Sequence, residues 1–452
     1  MPKKKTALTI EERLQQALVP AEEQPYEVPE NWVWVRLGEV NKYVSKSVNP
    51  ISEPDKIFEL YSVPSMADDY PEIIAGSDIG SSKQSVCKED VLLCKINPRI
   101  NRVWKVSQFT DNELIASSEW IIIRNNHINA NYLMYCFQSK YFREFMLSNV
   151  SGVGGSLMRA QPKYVQTYPI PLPPLSEQQR IVESIEELFA KLDEAKERLQ
   201  EVADSFAVRK AAILHNAFTG ELTKQWRREN GVSDESWEEK KLGEVGFWLG
   251  GGTPSTSREE YWENGNILWI TSKDMKSAVI EDTLMKVNEI GVKNSSANYI
   301  EKPALLVVMR SGILRRTFPV AMVKKPFTVN QDLKAIIPDK DDLEFLYWML
   351  LSNEQRILDT CMKNGTTVES INSNALKDLT FKCPTLPEQH EIVRLIDDLL
   401  ARERAAQQVA EQALASIDLM KKSILARAFR GELGTNKASE ASALELLRQV
   451  LS

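Results

Sequence analysis

A chain of 452 residues is too long for one ordinary core, and its 43% hydrophobic content is that of a folded globular protein. The net charge of −7 argues mildly against nucleic acid as a partner unless cations are gathered locally. Five scattered cysteines (Cys87, Cys94, Cys136, Cys361 and Cys383) form no C-x-x-C pair, a pattern expected of reduced thiols in a cytoplasmic protein.

In chain order, an opening segment, 1–28, carries charge with no apolar stretch behind it and does not read as a signal peptide. A first globule, 29–172, opens on "NWVWVRLGEV" (31–40). Strand-like apolar runs follow at 90–96 and 119–124, then a short amphipathic helix at 130–139 and a glycine-containing polar loop at 151–161. Directly after the first apolar run comes "KINPRINRVWK", with Lys95, Asn97, Arg99, Asn101, Arg102 and Lys105 and few acids.

A helical region, 173–222, begins after Pro171, Pro173 and Pro174 with "LSEQQRIVESIEELFA" and closes on "AFTGEL" (217–222). Ile181, Ile185, Leu188, Leu192, Ala195, Leu199, Val202 and Phe206 step alternately by four and three residues, the seam of a coiled coil. Ser176 with Gln179 reads as a capping box, and Gly220 as a helix stop. A polar linker, 223–235, leads to a second globule, 236–384. It opens on "SWEEKKLGEV" and repeats the order of parts: apolar runs at 267–271, 304–310 and 333–338, an apolar helix at 343–352, and a polar loop at 364–374. Its basic residues, Arg310, Arg315, Arg316, Lys324 and Lys325, again follow an apolar strand.

The second helical region, 385–433, repeats the first. "LPEQHEIVRLIDDLLA" starts at Leu386, 211 residues after Leu175, and "AFRGEL" (428–433) again lies 211 residues after its counterpart. Fixed length is what a rod requires, whereas loops drift. The seam here is Ile392, Ile396, Leu399, Glu403, Ala406, Ala410, Ala413 and Ile417, with Glu403 an acidic departure that weakens the pairing locally. Each rod spans about 65 Å at 1.5 Å per residue, and two equal long helices invite antiparallel packing on each other. A helical tail, 434–452, follows. The expected fold is α+β: two mixed β-rich globules separated by two long antiparallel coiled-coil helices, with an internal pseudo-two-fold repeat.

Enzymatic constellations are missing. There is no G-x-x-x-x-G-K-[ST] loop and no Asp/Asn-Pro-Pro-Tyr string. His127, His215 and His390 are far apart with no nearby cysteine, so no metal set is expected. The globules are near neutral, yet each places a basic cluster in the same slot. Arg and Asn can read base edges bidentately, and Lys and Arg neutralise phosphates. Ser156, Arg159, Thr271, Lys273, Thr366 and Thr367 complete the candidate DNA-binding set.

The duplicated "LGEV", "LSEQQRIV"/"LPEQHEIV" and "AFTGEL"/"AFRGEL" motifs, in this order, resemble the specificity (S) subunits of type I restriction–modification systems. The resemblance covers nearly the whole chain, including both end segments. It implies that the globules are target recognition domains, each reading one half of a bipartite, asymmetric site in double-stranded DNA. It implies that the rods set the spacing and bind two methyltransferase (M) subunits, with Phe218 and Phe429 at the rod ends as candidate contacts. S-adenosylmethionine would belong to the M subunits, and ATP and Mg to two restriction (R) subunits. No cofactor, metal, catalytic residue or membrane is implied for this chain. Rival readings are a structural coiled-coil adaptor and a detached specificity protein serving a fused nuclease–methyltransferase.

Overall fold

Both rods are helices, but only one is unbroken. In a computed structural model, which describes residues 8–151, 158–363 and 368–452, the second rod is one 43-residue helix, Leu386–Ala428. The first is two helices, Leu175–Asp204 and Phe206–Phe218, with a break at Ser205. There the Ser205 hydroxyl donates back to the Glu201 carbonyl at 2.6 Å, the type of back-bonding that bends helices. The Arg209 guanidinium bonds the Ser205 hydroxyl and the Val202 carbonyl at the same place.

The chain forms two compact units, Met1–Leu199 with Gln412–Ser452, and Gln200–Glu411. In the first, partners run backwards along the second rod as they run forwards along the first. Glu177 is met by Thr435 and Asn436, whereas Asp193 pairs with Lys421 at 2.6 Å. The second unit shows the same antiparallel sense: Thr223 meets Glu388, and Arg209 meets Glu403. Glu403 is therefore no weak point, because a cation of the other rod answers it.

Each unit builds its core where a rod start meets a rod end. Ile181, Val182 and Ile185 pack with Leu425, Ala428 and Phe429. Ile392, Val393, Ile396 and Leu400 pack with Leu214 and Ala217. Burying each such aliphatic side chain contributes roughly 1.5–3 kcal/mol. The seam departs from strict heptads elsewhere: Leu188 and Val202 are 36% and 38% exposed, Ala406 is exposed, and Leu400 rather than Leu399 is buried. Leu192, Leu199 and Phe206 are half-buried, while Ala410 and Ile417 are buried. A straight helix at 3.6 residues per turn drifts off a 3.5 repeat, so the inward stripe slides by one residue along the rod.

The joint between head and rod explains the repeated Glu-Gln. Buried Gln178 accepts from the Asn129 N–H at 2.9 Å and donates to the Pro173 carbonyl. Gln389 accepts from the Asp342 N–H at 2.8 Å and donates to the Pro384 carbonyl. Asn129 and Asp342 are the N-caps of the head helices Ala130–Gln138 and Leu343–Ser352. Burial would raise the neighbouring Asp341 carboxyl, but bonds from Lys240, Gln389 and Cys383 hold it below the ordinary value.

The preceding residue, Glu177 or Glu388, is fully buried and grips the segment after the other rod. Glu177 accepts from Trp32 at 2.7 Å and from Asn436 at 2.9 Å. Glu388 accepts from Thr223 and from the Arg227 guanidinium, both at 2.7 Å. Thr223 and Arg227 belong to the stretch expected to be a plain linker. It is instead a docked element with its own helix, Lys224–Asn230. Gly220 and Gly431, with φ of +86° and +74°, end the rods in the left-handed conformation and turn the chain towards these carboxylates. The expected capping box does not form, because the helix starts one residue before Ser176 and the Ser176 hydroxyl goes to Glu440 at 3.1 Å.

The heads share the order of three strands around the central one, although their sheets differ in size. In the first, Val91–Cys94 lies between Val103–Lys105 and Trp120–Ile123, all antiparallel. In the second, Ala304–Val308 lies between Val320–Val323 and Leu333–Pro338, again antiparallel. A second sheet in each head holds one parallel pair: Ile57–Tyr61 with Glu113–Ala116, and Ile267–Ile270 with Phe327–Val329. The runs read as strands are strands, and the central ones are buried throughout, which is why their sequences are continuously apolar. The end segments close the first unit: the helix Ile10–Ala17 shares a core with Ala443–Leu451.

Removing Glu388 takes one of two carboxylates from the buried Arg227 guanidinium and leaves it the exposed Asp234, whereas removing Glu177 leaves only neutral donors without their acceptor. Glu388→Ala should cost about 3 kcal/mol, the lower end for a buried pair that loses one partner, and Glu177→Ala about 1–3 kcal/mol. Hydrogen exchange of peptides at 223–237 and 435–440 in the respective variants measures the two losses. Equal losses would contradict this account of the joint.

Candidate nucleic-acid interface

The loop 95–102 joins two antiparallel strands of the first head and is sewn to the segment at 158–160. The Asn97 N–H donates to the Met158 carbonyl and the Ala160 N–H to the Lys95 carbonyl, both at 2.8 Å. Asn97 itself adopts φ 46°, a left-handed conformation that asparagine tolerates better than most residues. This brings Lys95, Arg99, Arg102 and Arg159 to one edge. Arg99 is exposed, Arg102 is half-buried, and the Lys95 ammonium donates to the Ser118 carbonyl at 2.6 Å. The Arg159 guanidinium forks onto Glu119, with both bonds at 3.3 Å.

The second head repeats the device with other residues. The loop after Ala304–Val308 is bonded to 369–371: the Ser311 N–H donates to the Glu369 carbonyl at 3.0 Å and the Ile371 N–H to the Met309 carbonyl at 2.8 Å. Arg310, Arg315 and Arg316 are exposed there. The Arg315 Nε pairs with the Glu369 carboxylate, which this contact holds below the ordinary value. The Ile270 carbonyl accepts from the Asn330 N–H, and the Asp332 carbonyl from the Arg310 N–H, so the backbone at Thr271 approaches the same edge, and Lys273 is exposed.

Several expected site residues are placed otherwise. Asn101 spends its amide on the Phe137 and Gln138 carbonyls, at the end of a head helix, and has no donor left for a base. Lys105 is opposite Val91, at the far end of the hairpin, beside Glu89 at 3.7 Å. Lys324 and Lys325 follow Val323, which faces Ala304, so a whole strand of roughly 13–17 Å separates them from Arg310. They pair with Glu344 and Glu281, and the Glu344 contact raises the Lys324 ammonium. The Thr271 hydroxyl is bonded to Asp274 at 2.8 Å. Phe429 is fully buried against Tyr132, and Phe218 is half-buried against Phe345, so the rod-end rings are core rather than contact surface. Ser156, Thr366 and Thr367 lie outside the described residues. Glu119, Glu369 and Arg143, whose guanidinium bonds the Arg99 carbonyl, were not anticipated, since nothing local in sequence marks an acid that will face a distant arginine.

The profile of the type I restriction modification DNA specificity domain matches residues 29–204 and again 234–412. The chain belongs to this family. The specificity subunit of the Escherichia coli type I restriction enzymes EcoR124I and EcoR124II is 37% identical over 196 residues, 42% of this chain and 48% of that one. The Methanocaldococcus jannaschii MjaVIII specificity subunit is 25% identical over 419 residues, covering 86% and 92%. The chain spans less than half the length of the first two curated relatives it matches, 48% and 43%. The HsdS subunit of Thermoanaerobacter tengcongensis has the same fold, with a TM-score of 0.68 at 22% identity over 91% of this chain and all of that one.

Family membership does not make every polar residue of these loops a reader. Asn101→Ala should lower the stability of the first head by about 0.5–1.5 kcal/mol, measured by thermal unfolding. Arg99→Ala should stay within about 0.5 kcal/mol. The reverse ranking would show Asn101 to be free for another partner.

Proposed function

We propose that the chain is the DNA-specificity subunit of a type I restriction–modification complex in the cytoplasm, non-catalytic itself. Each head reads one half of a bipartite site in double-stranded DNA. The carrying observation is that two heads with the same order of three central strands and unlike residues both sew an arginine-bearing loop to the segment before the rod. Phosphate contacts position such a loop, and arginine at guanine edges specifies sequence. A coiled-coil adaptor would have no use for these matched loops. Two M subunits would supply S-adenosylmethionine and adenine methylation, and two R subunits the ATP- and Mg-dependent cleavage. Among the described residues no helix is long and apolar enough to cross a membrane. The paired rods would set the spacer between half-sites.

Arg315 and Arg316 changed together to Ala should weaken discrimination at one half-site only, by roughly 1–3 kcal/mol. Arg99 and Arg102 changed to Ala should affect only the other half-site. Footprinting with methylated-site sequencing reads both. Equal weakening of both halves with unchanged base preference would reduce these residues to phosphate contacts.

With Phe429 in the core, M docking needs another surface. Val208 and Leu419 stand 211 residues apart, one on each rod, and are 72% and 65% exposed. Matched apolar side chains left in solvent on both copies support a partner that binds twice. Val208→Asp and Leu419→Asp should each remove one M subunit from the complex by native mass measurement. A full complement in the double variant would refute this assignment.

A further inference from the structure

In both heads one arginine of the candidate interface is already engaged by a carboxylate. The two heads reach this state from different positions. In the first, the arginine (Arg159) is on the segment sewn to the loop, and the acid (Glu119) is in the turn before the strand Trp120–Ile123. In the second, the arginine (Arg315) is in the loop, and the acid (Glu369) is on the sewn segment. The acids of these pairs are only partly exposed. Glu369 is 19% exposed and Glu119 28%, against 67% for the Glu281 that meets Lys325. The Glu369 backbone is itself fixed by the Ser311 N–H.

A guanidinium has five N–H donors in a planar fork. Glu369 takes the Arg315 Nε, and among the described residues nothing else bonds the two terminal nitrogens; a guanine O6 and N7 edge accepts such a pair. A phosphate would compete for the side of the fork that the carboxylate already holds, and the carboxylate also offsets the positive charge that draws phosphate. We propose that Glu369, and Glu119 in the first head, are specificity-setting positioning residues: each holds one arginine so that it reads a base edge rather than clamps the DNA backbone. The inference rests on the DNA-reading function proposed above. It also gives a role to acids in a surface that binds a polyanion, where charge attraction alone would favour their absence.

The test uses the full chain purified with its methyltransferase subunits. Two duplex probes are titrated at 50 and 200 mM salt: the site that the unaltered protein selects from a random library, and a scrambled duplex of equal composition. Glu369→Gln should tighten binding to the scrambled probe. Freeing one cation for phosphate should steepen the fall between the two salts by a further factor of about 3.5. The ratio of selected to scrambled affinity should drop about fivefold or more, the lower bound for one bidentate base contact. Glu369→Asp should recover much of the ratio, and Glu119→Gln should relax only the other half-site. An unchanged salt slope and ratio would overturn the inference. So would equal weakening on both probes with the slope unchanged, which marks Glu369 as a fold support. An unaltered protein that binds neither probe would instead overturn the DNA-reading function itself.

Discussion

Two adjacent side chains at the start of each rod, a buried carboxylate and a buried amide, hold three parts of the chain at one point. The amide of Gln178 or Gln389 takes the N–H of the residue that caps a head helix. The carboxylate of Glu177 or Glu388 takes donors from the chain beyond the other rod's end. A carboxylate out of water is tolerable only when it is hydrogen-bonded, so the joint has few alternative arrangements. Head orientation within each unit follows from it, because the head helix begins on the amide. The duplicated Glu-Gln and the duplicated Ala-Phe-x-Gly-Glu-Leu are thus two halves of one fastening, brought together across 258 residues in one copy and 165 in the other.

Beyond the joint, the two copies treat their shared plan differently. Glu177 is satisfied by neutral donors with Trp32 among them, while Glu388 is answered by a cation. The heads likewise keep strand order and change side chains. Backbone bonds between the loop and the segment before the rod are present in both, through 97 and 158 in one and 311 and 369 in the other. Main-chain ladders do not depend on side-chain identity, so a head can replace every residue at its edge and keep the edge in place. That is a physical basis for two unlike surfaces on one framework.

Much of this was legible in sequence. Apolar runs such as 304–310 named the buried strands, and the 211-residue repeat named the rods. The break at Ser205 was not legible, since the seam pattern continues through it and only a hydroxyl reaching back to Glu201 gives it away. Nor was the docking of 223–235, whose composition is polar because its threonine and arginine serve a buried acid. Of the candidate interface, the basic loops could be read from sequence and the neighbours that the fold gives each residue could not. Asn101, Lys105, Lys324 and Lys325 look identical in type to true edge residues. Which end of a hairpin a lysine occupies depends on register, and composition carries no register.

The two units also differ in how many pieces of chain they require. Gln200–Glu411 is one continuous stretch, whereas the other unit needs residues from both sides of it, with Leu14 and Ala17 sharing a core with Leu446 and Val450. Proteins are made from the N-terminus, and domains fold as their chain becomes available. The first head to be synthesised is therefore the second to be finished. Its core stays open until residues 412–452 have left the ribosome, by which time the later head has had its entire sequence. During that interval Ile181, Val182 and Ile185 have no Leu425 or Phe429 to cover them, and the nascent first head is the part of the molecule most in need of shelter.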